Sequence, residues 1–229
     1  MSQTKEQSEP FRYERKFSIT DYSYSDVKQI LKFHPACFSE IFQERSVNNI
    51  YFDTLGLNDY YDNINGEQIR SKVRIRWYGD LFGTIQTPVL EYKIKTGLLG
   101  KKRSYKLQPF LINNNFSKSQ IINAIGTLPQ NIKDQILSLK PTLLNSYKRN
   151  YFLSADKNFR VTLDHRLTFY KILYSGNTFT NKSIDHNSTV LELKYDSSLE
   201  TEAKLIAGAF PLKLTKSSKY LQGLERVFI

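Results

Sequence analysis

The stretch SKVRIRWYG, residues 71–79, alternates charged and apolar side chains with a period of two. Three cations share one face and three apolar side chains share the other: Lys72, Arg74 and Arg76 against Val73, Ile75 and Trp77. This alternation is typical of a β-strand with one buried face, because successive side chains leave opposite sides of the pleat. Taken alone, the strand is most simply interpreted as a solvated cationic face over an apolar core.

The composition indicates one globular domain with an anionic partner. The 229 residues are 40% hydrophobic, which is enough for one large core. The 33 Lys and Arg exceed the 22 Asp and Glu, and the net charge of +11 favours nucleic acid, an acidic membrane surface or phosphate groups as partners. A single cysteine, Cys37, excludes an internal disulfide and fits a reducing compartment.

The first ten residues, MSQTKEQSEP, are polar, and we expect a disordered tail at 1–10 followed by one folded domain over residues 11–229. No stretch has the length of a membrane span, so the expected location is cytoplasmic. About eight or nine strands that mostly alternate, with helical patterns at 23–35, 117–139 and 200–210, favour a mainly antiparallel sheet of the α+β class.

One face of each long strand carries several charges. The sets are Arg12, Glu14 and Lys16; Lys72, Arg74 and Arg76; Glu91, Lys93 and Lys95; Arg160 and Asp164; and Glu192 with Lys194. Like charges on neighbouring strands destabilise a flat sheet, so such a surface needs an anion. An eight-stranded antiparallel β-barrel, with its charged faces inward and helices packed on the outside, would remove the sheet edges and concentrate positive potential in a tunnel.

Carboxylates interspersed among the cations indicate a metal. Arginine suits bidentate contact with phosphate oxygens, whereas Glu14, Glu91 and Glu192 would weaken a surface made only to bind a polyanion. These three glutamates fit a divalent cation that accompanies phosphates, since Mg²⁺ or Mn²⁺ takes one or two carboxylates together with phosphate oxygens. The alternative for each glutamate is a salt bridge to a cation on a neighbouring strand.

Nine segments of the chain resemble, in order, the VTC domain, the catalytic module of polyphosphate polymerases in the triphosphate tunnel metalloenzyme superfamily. They are ERKF (14–17), NNIYFDT (48–54), VRIRWYG (73–79), LEYKIK (90–95), KKR (101–103), YKRNYF (147–152), FRVTLD (159–164), LELKY (191–195) and KSSKY (216–220). Together the segments span nearly the whole chain.

The resemblance implies a tunnel in which the γ-phosphate of ATP is transferred to a growing polyphosphate chain with the help of Mn²⁺ or Mg²⁺. It implies phosphate-binding roles for Lys16, Arg74, Arg76, Lys93, Lys101, Arg103, Arg149, Arg160, Lys194, Lys216 and Lys219. Within that set, Arg74, Arg76, Lys216 and Lys219 would act on the transferred phosphate. Glu192, with Glu14 and Glu91, would bind the metal.

One departure separates this chain from the hydrolases and cyclases of the superfamily, which open with Glu-x-Glu-x-Lys. Here the corresponding residues 12–16 read RYERK, so Arg12 stands in place of the first glutamate. The change removes a metal ligand and adds a cation, which favours a site that binds several phosphates over two-metal hydrolysis.

Two alternatives stay open beside the ATP-dependent polymerase. The same fold would serve a triphosphatase or nucleotidyl cyclase, and a non-catalytic polyphosphate-binding module would show tight polyanion binding without turnover. Nucleic acid is the least favoured partner, because no recognised nucleic-acid motif is present. A membrane-protein partner is compatible with the resemblance, because eukaryotic members work in a membrane complex.

Overall fold

The computed structural model describes residues 6–97, 99–173 and 176–228. Its strands are β1 Gln7–Ile19, β2 Ser39–Asp53, β3 Ile69–Tyr78, β4 Gly83–Ile85, β5 Val89–Thr96, β6 Leu99–Lys106, β7 Phe110–Ile112, β8 Lys140–Leu153, β9 Arg160–Lys171, β10 Lys182–Asp185 and β11 Thr189–Asp196. Its helices are α1 Tyr24–Lys32, α2 Asn58–Ile64, α3 Lys118–Ala124, α4 Gln130–Ser138, α5 Glu200–Gly208 and α6 Lys219–Phe228. Strand β1 starts at Gln7, within the predicted tail, and residues 1–5 of that tail lie outside the described residues.

Eight long strands are hydrogen-bonded in a cycle. Neighbours run β9, β11, β1, β6, β5, β3, β2 and β8, every pair is antiparallel, and β8 also pairs with β9. The short strand β10 continues beside β9 where β11 ends. The predicted α+β class, with an eight-stranded antiparallel tunnel, is therefore confirmed.

Helices cover the outer face of the tunnel in two places. Helices α3 and α4 pack on β2, β3 and β5 in one apolar cluster, which contains Val73, Ile75 and Trp77 from the opening stretch. Helices α1 and α5 pack on β1, β9 and β11 in a second cluster. The apolar face of residues 71–79 thus points outward to covering elements, and the cationic face points into the tunnel. In the part of the chain that the structure describes, no helix is long and apolar enough to cross a membrane.

The predicted helical regions all pack on the outside, whereas helix α6, where no helix was predicted, does not lie there. Its Tyr220 and Leu224 join a third cluster with tunnel-facing side chains of β2, β8 and β9. Gly223 lies against the side chains of Leu143 and Phe169, where a larger residue has no space. The amphipathic helix α6 therefore fills the tunnel interior next to the end of β2 and delivers its first residue, Lys219, to the charged wall.

The close approach at Gly223 predicts a measurable loss of stability on substitution. A Cβ at this position would lie 2.6 Å from Cδ1 of Phe169, so Gly223→Val should lower the free energy of unfolding by about 1–3 kcal/mol through overpacking. For a chain of this size, that is a fall in Tm of roughly 2–12 °C. Gly208→Ala at the end of α5, where a Cβ meets no atom within 4 Å, is the control. Equal thermal shifts in the two variants would contradict this packing.

Candidate active site

Asp164 is a fully buried carboxylate inside the tunnel, held between two cations. It lies opposite Arg149 in the β8–β9 ladder and accepts hydrogen bonds from Nε and Nη2 of that residue at 2.5 and 2.6 Å. Lys219 Nζ lies 2.6 Å from Oδ2, the oxygen that also accepts the hydrogen bond from Arg149 Nη2. Burial alone would raise the pKa of Asp164, but Arg149 and Lys219 outweigh it and hold the pKa below its usual range. Asp164 therefore holds the guanidinium group of Arg149 and the ammonium group of Lys219, the first residue of α6, at one place in the tunnel wall.

Glu192, on β11, lies among four cations. Its oxygens are 3.2 Å from Lys16 Nζ, 3.5 Å from Lys194 Nζ, 3.7 Å from Arg149 Nη2 and 3.8 Å from Lys219 Nζ. Burial raises the pKa of Glu192, but the four cations lower it by more, so the pKa lies well below its ordinary value. The carboxylate is therefore ionised at neutral pH.

A second carboxylate, Glu14, shares two of these lysines. Lys93 Nζ lies 2.8 Å from Glu14, Lys16 Nζ 3.8 Å and Lys194 Nζ 4.0 Å. The β1–β11 register sets Glu14 opposite Lys194 and Lys16 opposite Glu192, so charges alternate in a checkerboard. Burial opposes ionisation, but Lys93 and Lys16 hold the pKa of Glu14 below its usual range. Glu14 and Glu192 are thus two ionised carboxylates joined by common lysines.

The third carboxylate, Glu91, forms ion pairs with the two arginines of β3. It accepts Arg74 Nε at 2.8 Å and lies 2.7 Å from Arg74 Nη2, 3.8 Å from Arg76 Nη1 and 3.5 Å from Lys102 Nζ. Against the effect of burial, Arg74 and Arg76 lower the pKa of Glu91. This ion pair orients both guanidinium groups of the RIR sequence along the tunnel wall.

Neutral groups complete the orientation of these arginines. Arg74 donates to Tyr51 Oη at 3.3 Å, while Arg76 donates to Asn49 Oδ1 at 2.8 Å and to Tyr147 Oη at 3.0 Å. Asn145 Oδ1 accepts a hydrogen bond from Asn49 Nδ2 at 2.8 Å, but the buried Nδ2 of Asn145 has no hydrogen-bond partner among the described residues. An unpaired buried N–H donor on the inner wall is a place where a ligand oxygen would be favoured.

The structure brings most of the predicted residues together. Those that take part in its ion pairs fall into two sets: Arg74, Arg76 and Glu91; and Glu14, Lys16, Lys93, Arg149, Glu192, Lys194 and Lys219. Two others are set apart: Arg160 is exposed at the start of β9, opposite Lys194, and Lys216 is exposed in the segment before α6. Neither lies among the ion pairs described above.

The predicted roles of Lys101 and Arg103 are corrected by the register of β6. Lys93 lies opposite Lys102, so Lys102 shares the inner face, while Lys101 and Arg103 alternate to the outer face. Arg103 accordingly lies over the ring of Tyr92, 5.5 Å from its centroid, among outer-face side chains. Lys102 takes the place in the tunnel that the sequence assigned to its neighbours.

The buried aspartates Asp53 and Asp164 have different roles in the fold. Asp53 caps α2, since its carboxylate accepts the backbone N–H of Asp59 and Tyr60, and it also accepts the Tyr220 hydroxyl at 2.5 Å. Asp164 instead lies in the charged wall. Its alternation with Arg160 on β9 was the available signal, since both share one face of the strand.

The carboxylates fit a divalent cation that arrives with a phosphate. Among the described residues, no group of three or more His, Cys, Asp or Glu side chains could hold a metal ion without further ligands. Mg²⁺ and Mn²⁺ need only one or two carboxylates when substrate phosphates and water supply the remaining oxygens. Glu192, whose nearest cation is Lys16 Nζ at 3.2 Å, meets that need most directly, whereas Glu14 is held by Lys93 at 2.8 Å and Glu91 by Arg74 at 2.7 Å.

The ion pairs of the wall leave an excess of positive charge. They join eight cations to four carboxylates: Lys16, Arg74, Arg76, Lys93, Lys102, Arg149, Lys194 and Lys219 to Glu14, Glu91, Asp164 and Glu192. Several positive charges in a partly buried site attract an anion of high charge density. This arrangement can bind phosphates, neutralise charge on a transferred phosphoryl group and admit a metal, but it offers no activated Ser, Cys or His nucleophile among these contacts.

Solved structures share this fold at low sequence identity. A putative adenylate cyclase from Bacillus halodurans matches with a TM-score of 0.53 and 16% identity, covering 94% of this chain and 97% of its own. A putative adenylyl cyclase from Hippeastrum, described as having a dominant triphosphatase activity, matches with a TM-score of 0.52 and 13% identity over 96% and 97%. A protein from Pyrococcus horikoshii OT3 gives 0.54 and 12% over 93% and 98%.

No curated protein sequence matches the chain. The family model described as the VTC domain matches residues 11–228, which is nearly the whole chain and includes all the carboxylates and cations of the tunnel wall. This chain belongs to the VTC domain family.

Proposed function

We propose that the protein is a metal-dependent polyphosphate polymerase that transfers the γ-phosphate of ATP to a polyphosphate chain inside the tunnel. The single observation that carries the proposal is the charged wall of a VTC domain, in which eight cations face four carboxylates. That excess suits a ligand with many phosphates in a row. The substitution of Arg12 for the first glutamate of the Glu-x-Glu-x-Lys pattern supports the same interpretation.

The proposed mechanism is positioning and charge neutralisation. Arg74, Arg76 and Lys219 would bind the oxygens of the transferred phosphoryl group and hold it in line with the acceptor. The acceptor is a terminal phosphate oxygen of the chain, which is already ionised at neutral pH, so no general base is needed. Glu192, with Glu14 beside it, would hold Mn²⁺ or Mg²⁺, whose contribution would be neutralisation of charge on the phosphates.

The proposed partners are ATP and inorganic polyphosphate or triphosphate, with no role for nucleic acid. The proposed location is the cytoplasm, where ATP is abundant and the single cysteine stays reduced. Recruitment to a membrane-protein partner belongs to the same proposal, because a polymerase that works at a membrane could deliver its product there.

A triphosphatase or nucleotidyl cyclase is the second candidate, and the similarity to the Hippeastrum protein favours it. That activity would use the same arginines and the same metal, with water or a ribose hydroxyl in place of the acceptor phosphate. A non-catalytic polyphosphate-binding module is the third, since the cations alone would bind the polymer.

Product analysis separates these candidates. The protein is incubated with ATP and either Mn²⁺ or Mg²⁺, with and without a short polyphosphate primer, and the products are resolved by electrophoresis and chromatography. We expect long polyphosphate in the wild type and in Lys204→Met, whose lysine is exposed on α5, and at most traces in Arg76→Met. Free phosphate or cyclic nucleotide as the sole product under every condition would overturn the polymerase proposal.

A further inference from the structure

Three aromatic side chains surround one arginine at the end of the tunnel where β3 finishes. The guanidinium carbon of Arg45 lies 4.7 Å from the ring centroid of Phe42, 5.6 Å from that of Tyr151 and 6.0 Å from that of Tyr78. The rings of Phe42 and Tyr151 also meet edge to face, with their centroids 5.8 Å apart. We call Phe42, Arg45, Tyr78 and Tyr151 the aromatic cluster.

The aromatic cluster continues the inner wall of the tunnel. Strand alternation places Tyr78 on the tunnel face two residues after Arg76, and Tyr151 on the same face two residues after Arg149. Two residues of a strand advance roughly 7 Å. Arg45 itself lies opposite Arg149 in the β2–β8 ladder. The aromatic rings therefore begin one strand repeat beyond two of the arginines that are proposed to bind phosphates.

The rings of the aromatic cluster are accessible to solvent. Phe42 is 49% exposed and Tyr78 is 51% exposed. Helix α6, which fills the interior elsewhere, lies against Leu143 near the start of β8 and Phe169 near the end of β9, whereas Tyr151 lies near the end of β8. Accessible aromatic faces around an arginine form a surface on which a planar ring can stack.

The charge of Arg45 lacks an acidic partner. Arg45 and Arg149 are like charges in opposed positions of two strands, an arrangement that destabilises a sheet. Arg149 is compensated by Asp164 at 2.5 Å, whereas no carboxylate among the described residues lies within 4.0 Å of Arg45. Contact with aromatic faces supplies only part of the missing attraction. An anion bound beside the aromatic cluster would supply the missing counter-charge.

A buried hydroxyl lies between the charged wall and the aromatic cluster. Thr162 is 3% exposed and lies opposite Glu192 in the β9–β11 ladder and opposite Tyr151 in the β8–β9 ladder. It shares the tunnel face of β9 with Asp164. Its Oγ1 has no hydrogen-bond partner among the described residues. An unpaired buried hydroxyl costs free energy, which a polar ligand group at this place would recover.

We propose that the aromatic cluster is a nucleobase subsite, which stacks the base of the nucleotide while Thr162 bonds its ribose and Arg45 its α-phosphate. The subsite rests on the proposed function for the placement of the triphosphate among the cations of the wall. Phosphates at Arg76 and a base at Tyr78 are separated by roughly 7 Å along the strand, a gap that a ribose bridges.

The proposed subsite would distinguish a nucleoside triphosphate from inorganic chains of phosphate, which have no ring to stack. It would accept any base, because every base offers a π-face to an aromatic side chain. The chemical class of its ligand is therefore the nucleoside part of a nucleotide.

Binding measurements with two ligands that differ by a nucleoside test the subsite. The ligands are adenylyl imidodiphosphate, a non-hydrolysable ATP analogue, and inorganic tripolyphosphate, both titrated without divalent cation. We expect Phe42→Ala/Tyr78→Ala to bind the analogue at least roughly fivefold more weakly, while its Kd for tripolyphosphate changes less than twofold. Phe42→Tyr/Tyr78→Phe, which keeps both rings, should recover the affinity that the alanine variant loses. Phe33→Ala, which removes an exposed ring just after α1, is the control and should bind both ligands like the wild type.

Thr162→Val tests the contact with the ribose. Valine has nearly the shape of threonine without the hydroxyl, so the analogue should bind roughly threefold more weakly while tripolyphosphate binding is retained. Because the hydroxyl has no partner among the described residues, this variant should unfold at a Tm no lower than that of the wild type. A loss of nucleotide binding without a loss of stability excludes a mere folding defect.

Three results would overturn the subsite: unchanged analogue binding in the double alanine variant, equal losses for both ligands, or no recovery when both rings are kept. Selective loss of analogue binding in a protein whose wild type makes no polyphosphate would uphold the subsite and defeat the polymerase proposal. Polymer formation by the wild type, with unchanged analogue binding in the double alanine variant, would overturn the subsite alone.

Discussion

Glu192→Gln is expected to reduce metal-dependent turnover of ATP by roughly 10²–10³-fold, the loss typical when one group that stabilises transition-state charge is removed. Glu192 is ionised, buried and within 4 Å of four cations, so glutamine keeps its size but removes the charge that would bind the metal. The same change leaves the wall with one more unbalanced positive charge. Metal-free binding of tripolyphosphate should therefore become tighter while turnover falls.

Tighter metal-free binding combined with slower turnover is the result that identifies Glu192 as a metal ligand. Isothermal titration without divalent cation measures the first, and product formation with Mn²⁺ measures the second. Glu202→Gln, on the exposed side of α5, is the matched control and should leave both unchanged. Weaker metal-free binding in Glu192→Gln would show that the carboxylate acts by holding the lysines in place. Unchanged turnover would remove Glu192 from the proposed metal site.

The sequence predicts which side chains share a strand face where charged and apolar side chains alternate strictly. In residues 71–79 the pattern assigns each side chain, and the structure places Arg74 and Arg76 inside and Trp77 outside accordingly. On β6 three successive cations, at 101–103, remove the contrast between the faces. Only the pairing of Lys102 with Lys93 decides which of them faces inward, and that pairing is a tertiary fact.

Other differences have local physical causes. The segments NFRVTLDH (158–165) and LTFYKIL (167–173) each have the pattern of a separate strand, but the structure has the single strand β9 there. Its register shift against β8 lies next to Arg166, a residue with a positive φ of 53°. The predicted helical region 117–139 is two helices, because Pro129 lies at the start of α4. Helix α6 was not predicted, and its amphipathic pattern would not have revealed whether its apolar side covers an outer or an inner surface.

Arg149 and Asp164 should show strong energetic coupling in a double-mutant cycle. Both are buried and share two hydrogen bonds, so Arg149→Met and Asp164→Asn should each destabilise the fold, by at most about 3–5 kcal/mol, because each removes the nearest counter-charge of a buried group. Asp164 keeps Lys219 at 2.6 Å and Arg149 keeps Glu192 at 3.7 Å, which limits each loss. The double variant should lose clearly less than the sum of the two, since neither unpaired charge remains at this pair. Denaturant unfolding of the four proteins measures the coupling.

Binding of tripolyphosphate distinguishes Arg149→Met from Asp164→Asn, although both variants should be destabilised. Arg149→Met removes a proposed phosphate ligand and should weaken binding of tripolyphosphate at least roughly tenfold. Asp164→Asn removes the carboxylate that competes with phosphate for Arg149 and Lys219, so the folded fraction should bind at least as tightly as the wild type. Additive stabilities would contradict the buried pair. Equal losses of binding in both single variants would instead show that Asp164 must orient Arg149 before any phosphate can bind, since a carboxylate that only competed with phosphate could not weaken binding by its removal.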